Sequence, residues 1–334
     1  MLFRFENIII KPALMVVFFL LSFQSLIMAQ PVPAEDENIP HLVTFGNKAA
    51  TSWGDDDFTQ IFFFLIPEDF NDPVYVRIFD PDCGGKVDEI NINYNTRTEF
   101  SIFGGRGCWS DPDAQDTQPE GNYRSGNLLA SKTFGFDPEY DGQWYSFGPF
   151  NPKDGEYSEK DLGYIFKIIT EGIDGDDGNL YKYYLSTEDN RNVRVEGGNA
   201  FTYEYTFRMW NDNVNISHIY PYIEKGTVKV KQKNFDWDDD GNINTYSVVR
   251  IYNKDENKVS GQDNWSESEF QILDGEIGKS LDFQFVKKRY PLVTNNNVVI
   301  STQNQYEENL RFFTNPIGGV PKYKPQIKVQ KIDD

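Results

Sequence analysis

The chain has 334 residues, and its 52 Asp and Glu against 32 Lys and Arg give a formal net charge of −20. A chain this acidic will not bind nucleic acid or anionic lipid through bulk electrostatics. Two histidines are too few for a His-rich zinc site, and two cysteines are too few for a metal site built from a cysteine cluster. The surplus of carboxylates instead suits calcium or magnesium, which prefer oxygen ligands.

The N-terminal segment, residues 1–29, has the layout of an export signal. Arg4 and Lys11 make its start basic, residues 12–28 are mostly apolar, and Ala29 is a small residue at the expected cleavage edge. The alternative is an uncleaved membrane anchor, but the residues that follow are acidic and form no basic stop-transfer cluster. We therefore expect an exported protein, and no later apolar run is long enough to give the mature chain a transmembrane segment.

After a flexible lead at residues 30–40, short apolar runs alternate with turn residues along the rest of the chain. Many short strands with regular turn signals predict an all-β fold of sandwich type. The candidate strands in chain order are His41–Phe45, Gln60–Ile66, Val74–Phe79, Thr98–Phe103, Leu128–Phe134, Gln143–Phe147, Tyr164–Thr170, Leu180–Leu185, Phe201–Met209, His218–Ile223, Thr227–Lys233, Tyr246–Tyr252, Glu269–Leu273, Leu281–Lys287, Val298–Gln303 and Leu310–Phe313.

The polar stretch Ser186–Gly198 is the best candidate for a domain boundary. We therefore expect two consecutive β-sandwich domains of jelly-roll or C2-like type, at residues 41–188 and 189–325. A tail at residues 326–334 completes this division of the chain.

One acidic motif occurs twice, at residues 79–88 and 235–244. Each copy follows an extended segment, and each lies in the early-to-middle part of its half of the chain. Duplication of one sandwich explains the match, whereas chance is the alternative because Asp-x-Asp is common in an acidic chain. The aligned pairs are Phe79 with Phe235, Asp80 with Asp236, Asp82 with Asp238, Gly85 with Gly241, Val87 with Ile243 and Asp88 with Asn244.

The second copy has the start of a calcium-binding loop. Alternate carboxylates in a tightly curved loop point at a common centre, and a glycine permits the curve. An EF-hand also needs a glutamate at the twelfth position, where this chain has Ser247 in a predicted strand. Two interpretations stay open, a Ca²⁺ site in a β-loop and a solvated acidic turn. The candidate ligands are Asp236, Asp238, Asp240 and Asn244.

Two further loops carry candidate ligands of the same kind. The first copy of the motif supplies Asp80, Asp82, Asp88 and Glu89. A third loop supplies Asp174, Asp176 and Asp177, although its Asp-Gly and Gly-Asn dipeptides favour a plain hairpin turn over a calcium site. Further carboxylates occur at Asp55, Asp56 and Asp57, where the sequence does not indicate a partner.

The two cysteines, Cys83 and Cys108, are candidates for a disulfide bond. An exported chain meets oxidising conditions, and both cysteines lie among glycines in predicted loops. Closing a loop of about 25 residues would contribute roughly 3 kcal/mol of stability. The alternative is a pair of buried free thiols.

No catalytic motif stands out. The chain has no G-x-S-x-G and no P-loop motif, and His218 lies in a strand-like segment where a structural role is expected. A polysaccharide-active enzyme with paired carboxylates stays open, because sequence cannot tell which acids meet. A carbohydrate-binding module is the better alternative, since exposed aromatic rings can stack on sugars. The candidate rings are Trp53, Trp109, Trp144, Trp210, Trp237 and Trp265.

Several short stretches carry a resemblance to a known group of proteins. They include Ala50-Thr-Ser-Trp-Gly54, Arg77-Ile-Phe-Asp-Pro-Asp82, Ser101-Ile-Phe-Gly-Gly105, Leu129-Ala-Ser-Lys-Thr-Phe-Gly135, Gly175-Asp-Asp-Gly-Asn179, Phe201-Thr-Tyr-Glu-Tyr-Thr-Phe207, Phe235-Asp-Trp-Asp238 and Pro316-Ile-Gly-Gly-Val-Pro321. Together, over about residues 42–325, they resemble the exported β-sandwich region of outer-membrane-associated, OmpA-family proteins of Bacteroidota. In that family a peptidoglycan-binding domain follows, and this sequence has none before Asp334.

These observations predict a non-enzymatic, exported calcium-binding protein with two β-sandwich domains. The resemblance implies a subunit that docks on outer-membrane proteins or acts at the cell surface. The metal would hold together loops whose carboxylates otherwise repel one another. Glycans are the alternative partner, and nucleic acid is not expected.

Overall fold

A computed structural model of the chain describes residues 31–115, 123–250, 256–294 and 296–319. The predicted export signal at residues 1–29 and the predicted tail at residues 326–334 lie outside these ranges. Within them the chain is all-β, which confirms the predicted fold class. The helices there are single 3-10 turns at Glu35–Glu37, Thr51–Trp53, Pro112–Gln115, Pro152–Asp154 and Asp274–Glu276.

The described residues form twenty strands, most of them within a few residues of the predicted positions. They are β1 (Pro31–Val32), β2 (His41–Phe45), β3 (Thr59–Pro67), β4 (Val74–Phe79), β5 (Arg97–Gly104), β6 (Asn127–Phe134), β7 (Trp144–Phe150), β8 (Glu156–Ser158), β9 (Gly163–Asp174), β10 (Gly178–Ser186), β11 (Asn199–Thr202), β12 (Glu204–Arg208), β13 (Ser217–Ile219), β14 (Lys229–Phe235), β15 (Gly241–Tyr246), β16 (Glu256–Asn257), β17 (Trp265–Gln271), β18 (Asp282–Lys287), β19 (Asn297–Asn304) and β20 (Phe312–Phe313).

Over the described residues these strands pair into three sheets. A nine-stranded sheet has the order β17-β14-β19-β12-β2-β10-β4-β7, with β1 added on β10. A seven-stranded sheet has the order β20-β11-β3-β9-β5-β6, with β8 added on β9. A small sheet, β13-β18-β15-β16, completes the fold. Among these residues no helix is long and apolar enough to cross a membrane.

The continuous apolar run of β3 shows how the core is built. Side chains alternate across a strand, so Phe62 and Phe64 face the main core while Ile61 and Phe63 face a second one. A strand that is buried on both faces has such a run in place of an apolar–polar alternation. Phe62 makes edge-on ring contacts with Tyr205 of the nine-stranded sheet at 5.2 Å. The two large sheets therefore sandwich the main core.

Both large sheets contain strands from either side of the predicted domain boundary at residues 188 and 189. In the nine-stranded sheet, β12 pairs with β2, with Phe207 opposite Leu42. In the seven-stranded sheet, β11 pairs with β3, with Phe201 opposite Phe63. The strands β11 and β12, which follow the boundary predicted from polarity, thus pair with strands of the first half of the chain.

The segment that follows the predicted export signal is packed, so the prediction of a flexible lead does not hold for residues 31–40. Its strand β1 pairs with β10, and Val32 and Ile39 lie in the main core. Glu37 is buried and accepts a 2.6 Å hydrogen bond from the Ala34 backbone. Apolar residues are interspersed among the acidic ones in this segment, so its apolar side chains can pack into the core.

The predicted disulfide is wrong, because Cys83 and Cys108 are both buried free thiols. Cys83 follows β4 of the nine-stranded sheet, whereas Cys108 follows β5 of the seven-stranded sheet and packs in the second core. The Cys108 thiol donates to the Ile165 carbonyl at 3.3 Å, and burial raises its pKa to about 12. The two cysteines are close in the sequence, but they follow strands of two different sheets and therefore do not pair.

Two strand predictions failed in position. The predicted strand Phe201–Met209 breaks at Tyr203, where the chain passes from the seven-stranded to the nine-stranded sheet. The predicted strand Tyr246–Tyr252 lies too late, since β15 ends at Tyr246 and residues 251–252 are outside the described ranges. The second shift matters for the acidic loop that precedes β15, because it places Asn244 inside a strand.

Candidate metal centre

The two copies of the acidic motif begin with the same backbone geometry. β4 ends at Phe79 and β14 ends at Phe235, and the next residue in each case has a left-handed conformation. The φ angles are 58° for Asp80 and 55° for Asp236. Aspartate tolerates this region better than most side chains, because its short polar group can hydrogen-bond locally. The two copies therefore share the backbone geometry of their first residue, but they diverge at the next aligned pair, because Asp238 has a positive φ of 54° and Asp82 does not have a positive φ.

In the first copy, Asp80 and Asp82 are fully buried and poorly satisfied. Asp80 accepts a 2.7 Å hydrogen bond from the Gly142 backbone through Oδ1, but its Oδ2 makes none. Neither oxygen of Asp82 has a hydrogen-bond partner of normal geometry. Buried carboxylates without partners are costly, so such a pair calls for a counter-charge or a proton.

The pKa values of these two carboxyl groups reflect that cost. Burial raises the pKa of Asp82 to about 7, and the charge of Asp80 adds to the rise while the Asp137 backbone opposes it. Burial also raises the pKa of Asp80 to about 6, against the hydrogen bond from Gly142. Two acids that resist ionisation at one place would be stabilised as anions by a cation between them.

Asn179 supplies a further buried oxygen in the same loop region, because its side chain contacts Pro81, the residue between Asp80 and Asp82. It is completely buried, and its Nδ2 donates to the Pro81 carbonyl at 2.9 Å. Its Oδ1 is buried without a hydrogen-bond partner. Because β10 pairs with β4 and places Lys182 opposite Phe79, the start of β10 lies just beyond the end of β4. Sequence reasoning missed Asn179, since only this pairing brings it to the loop.

The glycines of the loop leave space for carboxylates. A Cβ on Gly84 would lie 2.8 Å from the Phe136 ring and 3.3 Å from Asp82 Oδ2, and one on Gly85 would lie 2.2 Å from Asp141 Oδ1. Asp141 also raises the pKa of both Asp80 and Asp82 through its charge. The loop from Asp80 to Gly85 therefore brings several carboxylates together, and their negative charges disfavour one another's ionisation.

The other two predicted ligands of the first copy act as internal ties. Asp88 accepts hydrogen bonds from the backbones of Gly84 and Leu180, at 2.6 and 2.7 Å. Glu89 pairs with Arg208 and accepts a 3.1 Å hydrogen bond from Asn297. Asp88 thus fastens the loop to β10, and Glu89 fastens the chain to β12 and β19.

In the second copy, protein donors satisfy the carboxylates. Asp236 accepts from the Asp263 backbone, and Asp238 accepts from the Asn296 amide at 3.0 Å. Asp240 accepts from the backbones of Leu292 and Val293, at 2.8 and 3.1 Å. Asn244 lies inside β15, where it is opposite Gln284 of β18.

A buried lysine provides the positive charge of the second copy. Lys287 Nζ lies 3.6 Å from Asp240 Oδ2, and both side chains are completely buried. Its ammonium group also donates to the Val293 carbonyl at 2.7 Å. Burial lowers the pKa of Lys287, and the nearby charge of Asp240 opposes that change. The two copies therefore differ in how their carboxylates are neutralised.

The third loop is the turn from β9 of the seven-stranded sheet to β10 of the nine-stranded sheet, so it is not a hairpin turn, and its acids hold a neighbouring segment. Asp177 accepts backbone hydrogen bonds from Asn91, Asn95 and Thr96, at 2.7, 2.7 and 3.2 Å. Asp176 accepts from the side-chain amides of Asn91 and Asn95. Asp174 pairs with the exposed Lys48. These contacts leave no unsatisfied carboxylate group in the loop comparable to Asp82.

In the described part of the chain, Asp55, Asp56 and Asp57 are the one group of three acidic residues that each place a carboxylate oxygen within 4.8 Å of the other two. Asp55 is buried and accepts backbone hydrogen bonds from Phe45 and Phe58, at 2.8 and 2.9 Å. Burial raises the pKa of Asp55 to about 7. The backbone donors give this group a structural role at the start of β3.

Replacing Asp236 by asparagine should flatten the dependence of stability on pH. Burial raises the pKa of Asp236 to about 7 from 3.8, so the folded state holds its proton more tightly than the unfolded state. Its contribution to stability is present below about pH 4, decreases as the pH rises, and levels off above pH 7. In Asp236→Asn this decrease is absent. At pH 8 the free energy of unfolding of the variant should therefore exceed that of the wild type by an amount on the order of 1–2 kcal/mol, after allowance for solvent screening.

Urea denaturation of the wild type and the variant at pH 5 and pH 8 measures this difference. Asp239→Asn is the matched control, because Asp239 is exposed in the same loop. An unchanged pH dependence in Asp236→Asn, or an equal change in the control, would contradict the prediction.

Comparison with known proteins assigns no family to this chain. No protein-family model matches it, and no curated protein sequence does. Among solved structures it matches the infectious bursal disease virus VP2 subviral particle with 9% sequence identity and a TM-score of 0.15. That match covers 85% of this chain and 76% of the viral chain. Such a TM-score carries no argument about fold or function, so the strand pairing itself defines the fold.

Proposed function

We propose that this protein is a non-enzymatic Ca²⁺-binding β-sandwich protein, which holds its ion in the loop after β4. The observation that carries the proposal is the set of buried oxygens without hydrogen-bond partners on Asp80, Asp82 and Asn179. Two carboxylates match the charge of one divalent cation. An amide oxygen of this kind is a common additional ligand of Ca²⁺.

Calcium fits this donor set better than other biological metals. Zinc prefers sulfur and imidazole, and the nearby Cys83 is a thiol whose pKa burial raises far above its ordinary value. Magnesium demands near-ideal octahedral geometry and retains most of its water, which a closely packed loop accommodates poorly. Calcium accepts irregular sets of carboxylate, amide, carbonyl and water oxygens.

The ion would order a surface that is suited to a protein partner. Phe136 is 57% exposed and stacks on Tyr94 with ring centroids 5.8 Å apart. The Tyr94 hydroxyl donates to the Gly85 carbonyl, and Phe136 also packs against Gly84, so both rings rest on the proposed calcium loop. Ile92, two residues before Tyr94, is 86% exposed. Exposed apolar side chains grouped in this way favour protein–protein contact.

The cellular setting of the proposal rests on sequence. The basic start, apolar stretch and small residue of segment 1–29 favour export, and the resemblance described above favours outer-membrane proteins as partners. The protein would then act as a subunit or interaction module of a complex at the outer membrane or cell surface.

Calcium should raise the thermal stability of the purified protein by about 5 °C or more relative to the protein in a chelator. An ion at 100 times its dissociation constant stabilises the folded state by about 2.7 kcal/mol. Differential scanning calorimetry with CaCl₂, MgCl₂ or EGTA measures the shift. Asp82→Asn should abolish it, whereas Asp72→Asn, at an exposed loop position, should retain it.

Identical melting curves in calcium and in EGTA would overturn the proposal, as would a full calcium response in Asp82→Asn.

The same two variants test the partner. Affinity purification from outer-membrane extracts should retain a protein in calcium with Asp72→Asn but not with Asp82→Asn. Retention that is the same for both variants would separate the partner from the ion.

A further inference from the structure

Two adjoining cavities form one groove on the side of the fold where the chain crosses between the large sheets. The first has a volume of about 400 Å³ and the second about 580 Å³. Gln115, Tyr203 and Asn309 line both of them, so the two cavities are continuous. Tyr203 is the residue at which the chain leaves β11 for β12, and its position ties the groove to the sandwich itself.

The floor of the groove is rigid. Thr202 donates through its hydroxyl to the Ile61 carbonyl at 2.6 Å, which fixes the crossover to β3. The Tyr203 hydroxyl accepts a 3.0 Å hydrogen bond from the indole nitrogen of Trp109. Glu156, at the start of β8, accepts a 2.8 Å hydrogen bond from the Trp109 backbone and so also holds this tryptophan in place. A site held in this way loses little conformational entropy on binding.

Aromatic rings stand at both ends of the groove. Trp265, on β17, is 40% exposed and lines the first cavity. Its ring packs on Phe235 with centroids 5.3 Å apart, which supports one face of the indole. Trp109 and Tyr306 line the second cavity, and Tyr306 is 73% exposed. Partly exposed rings offer flat apolar faces with a polar edge.

Several charges in the groove form opposite pairs. Lys160 lies 2.6 Å from Glu224, Arg311 lies 3.3 Å from the same carboxylate, and Lys233 lies 3.9 Å from Glu267. A groove without a field of one sign does not select a highly charged ligand. Between the charges it presents side-chain amides and hydroxyls, which donate and accept hydrogen bonds with neutral polar groups.

We infer that this groove binds a neutral oligosaccharide chain. Sugar rings offer apolar C–H faces that stack on Trp265, Trp109 and Tyr306, and hydroxyl groups that pair with the amides between them. A lipid chain would meet too many polar groups, and a polyanion would meet the carboxylates of the groove. None of the residues that line the groove belongs to the calcium loop, so this site is separate from the proposed metal centre.

Isothermal titration calorimetry with cellohexaose, xylohexaose, mannohexaose, laminarihexaose and N-acetylchitohexaose tests the inference on the full mature chain. We expect one or more of these neutral hexasaccharides to bind. Trp265→Ala and Tyr306→Ala should each weaken that binding at least about tenfold, because each removes a stacking face. The titration is performed in calcium and in EGTA, so that a failed metal site and a failed groove give different results.

Tyr290→Ala is the matched control for Tyr306→Ala. Tyr290 is 77% exposed and does not line either cavity. Unchanged binding in this variant supports the inference, and a cooperative thermal transition in all three variants establishes that they are folded. Absence of binding by all five sugars at millimolar concentration would overturn it. Full binding in both groove variants would equally overturn it, because the sugar would then occupy another surface.

Discussion

Replacing Lys287 by methionine is expected to lower the free energy of unfolding by about 3–5 kcal/mol at pH 7. Lys287 and Asp240 are completely buried, and the lysine is the cation of the second acidic loop. Methionine fills a similar volume but leaves the Asp240 carboxylate in the interior with only its two backbone donors. Removing one partner of a buried ion pair is costly because the remaining charge is uncompensated. Urea denaturation measures the loss.

The double variant with Lys287→Met and Asp240→Asn separates this charge effect from a packing effect. Asparagine removes the charge and keeps one acceptor oxygen, which can accept from one of the two backbone donors, Leu292 or Val293, that bond to different oxygens of Asp240. The double variant should therefore be more stable than Lys287→Met alone. If it is no more stable than the single variant, packing of the lysine side chain explains the loss and charge compensation does not.

Replacing Gly172 by alanine is expected to destabilise the protein by about 3 kcal/mol or more. An added Cβ would lie 1.8 Å from the Phe45 carbonyl oxygen and 2.9 Å from the Gly46 Cα. These are backbone atoms, which cannot rotate away as a side chain does. Gly172 is in β9 of the seven-stranded sheet, and Phe45 ends β2 of the nine-stranded sheet, so the clash forces the two sheets apart.

Gly135→Ala provides the control for this prediction. A Cβ at Gly135 would meet its nearest neighbour, Arg97, at an ordinary 3.7 Å. We expect a change in unfolding free energy within about 1 kcal/mol. Chemical denaturation of the two variants side by side gives the comparison. Equal stabilities would show that the sheets can separate at Gly172 without cost.

The strands were the part of the fold that local sequence predicted well. The run from Ile61 to Phe64 indicates a strand buried on both faces, and β3 has that environment. The predicted ends of β2 and β4 coincide with the observed ones, because turn residues follow Phe45 and Phe79 directly. Alternation and turn chemistry are local properties, so they are legible in the sequence.

Which strands pair was not legible in the same way. Polarity around residues 186–198 suggested a boundary, yet β11 and β12 beyond it join sheets that contain β3 and β2. The disulfide prediction failed for a related reason, since Cys83 and Cys108 are near in sequence but follow strands of different sheets. Pairing depends on contacts between distant segments, which local composition does not encode.

By itself, the sequence determined that this protein is a β-rich chain with two matched acidic loops, after Phe79 and after Phe235. Only the tertiary structure decided how these loops differ. Long-range pairing placed Lys287 beside Asp240 in one loop and Asn179 beside Pro81 in the other. The physical reason is that the charge balance of a buried carboxylate depends on what lies next to it in space, and neighbours in space here come from distant strands.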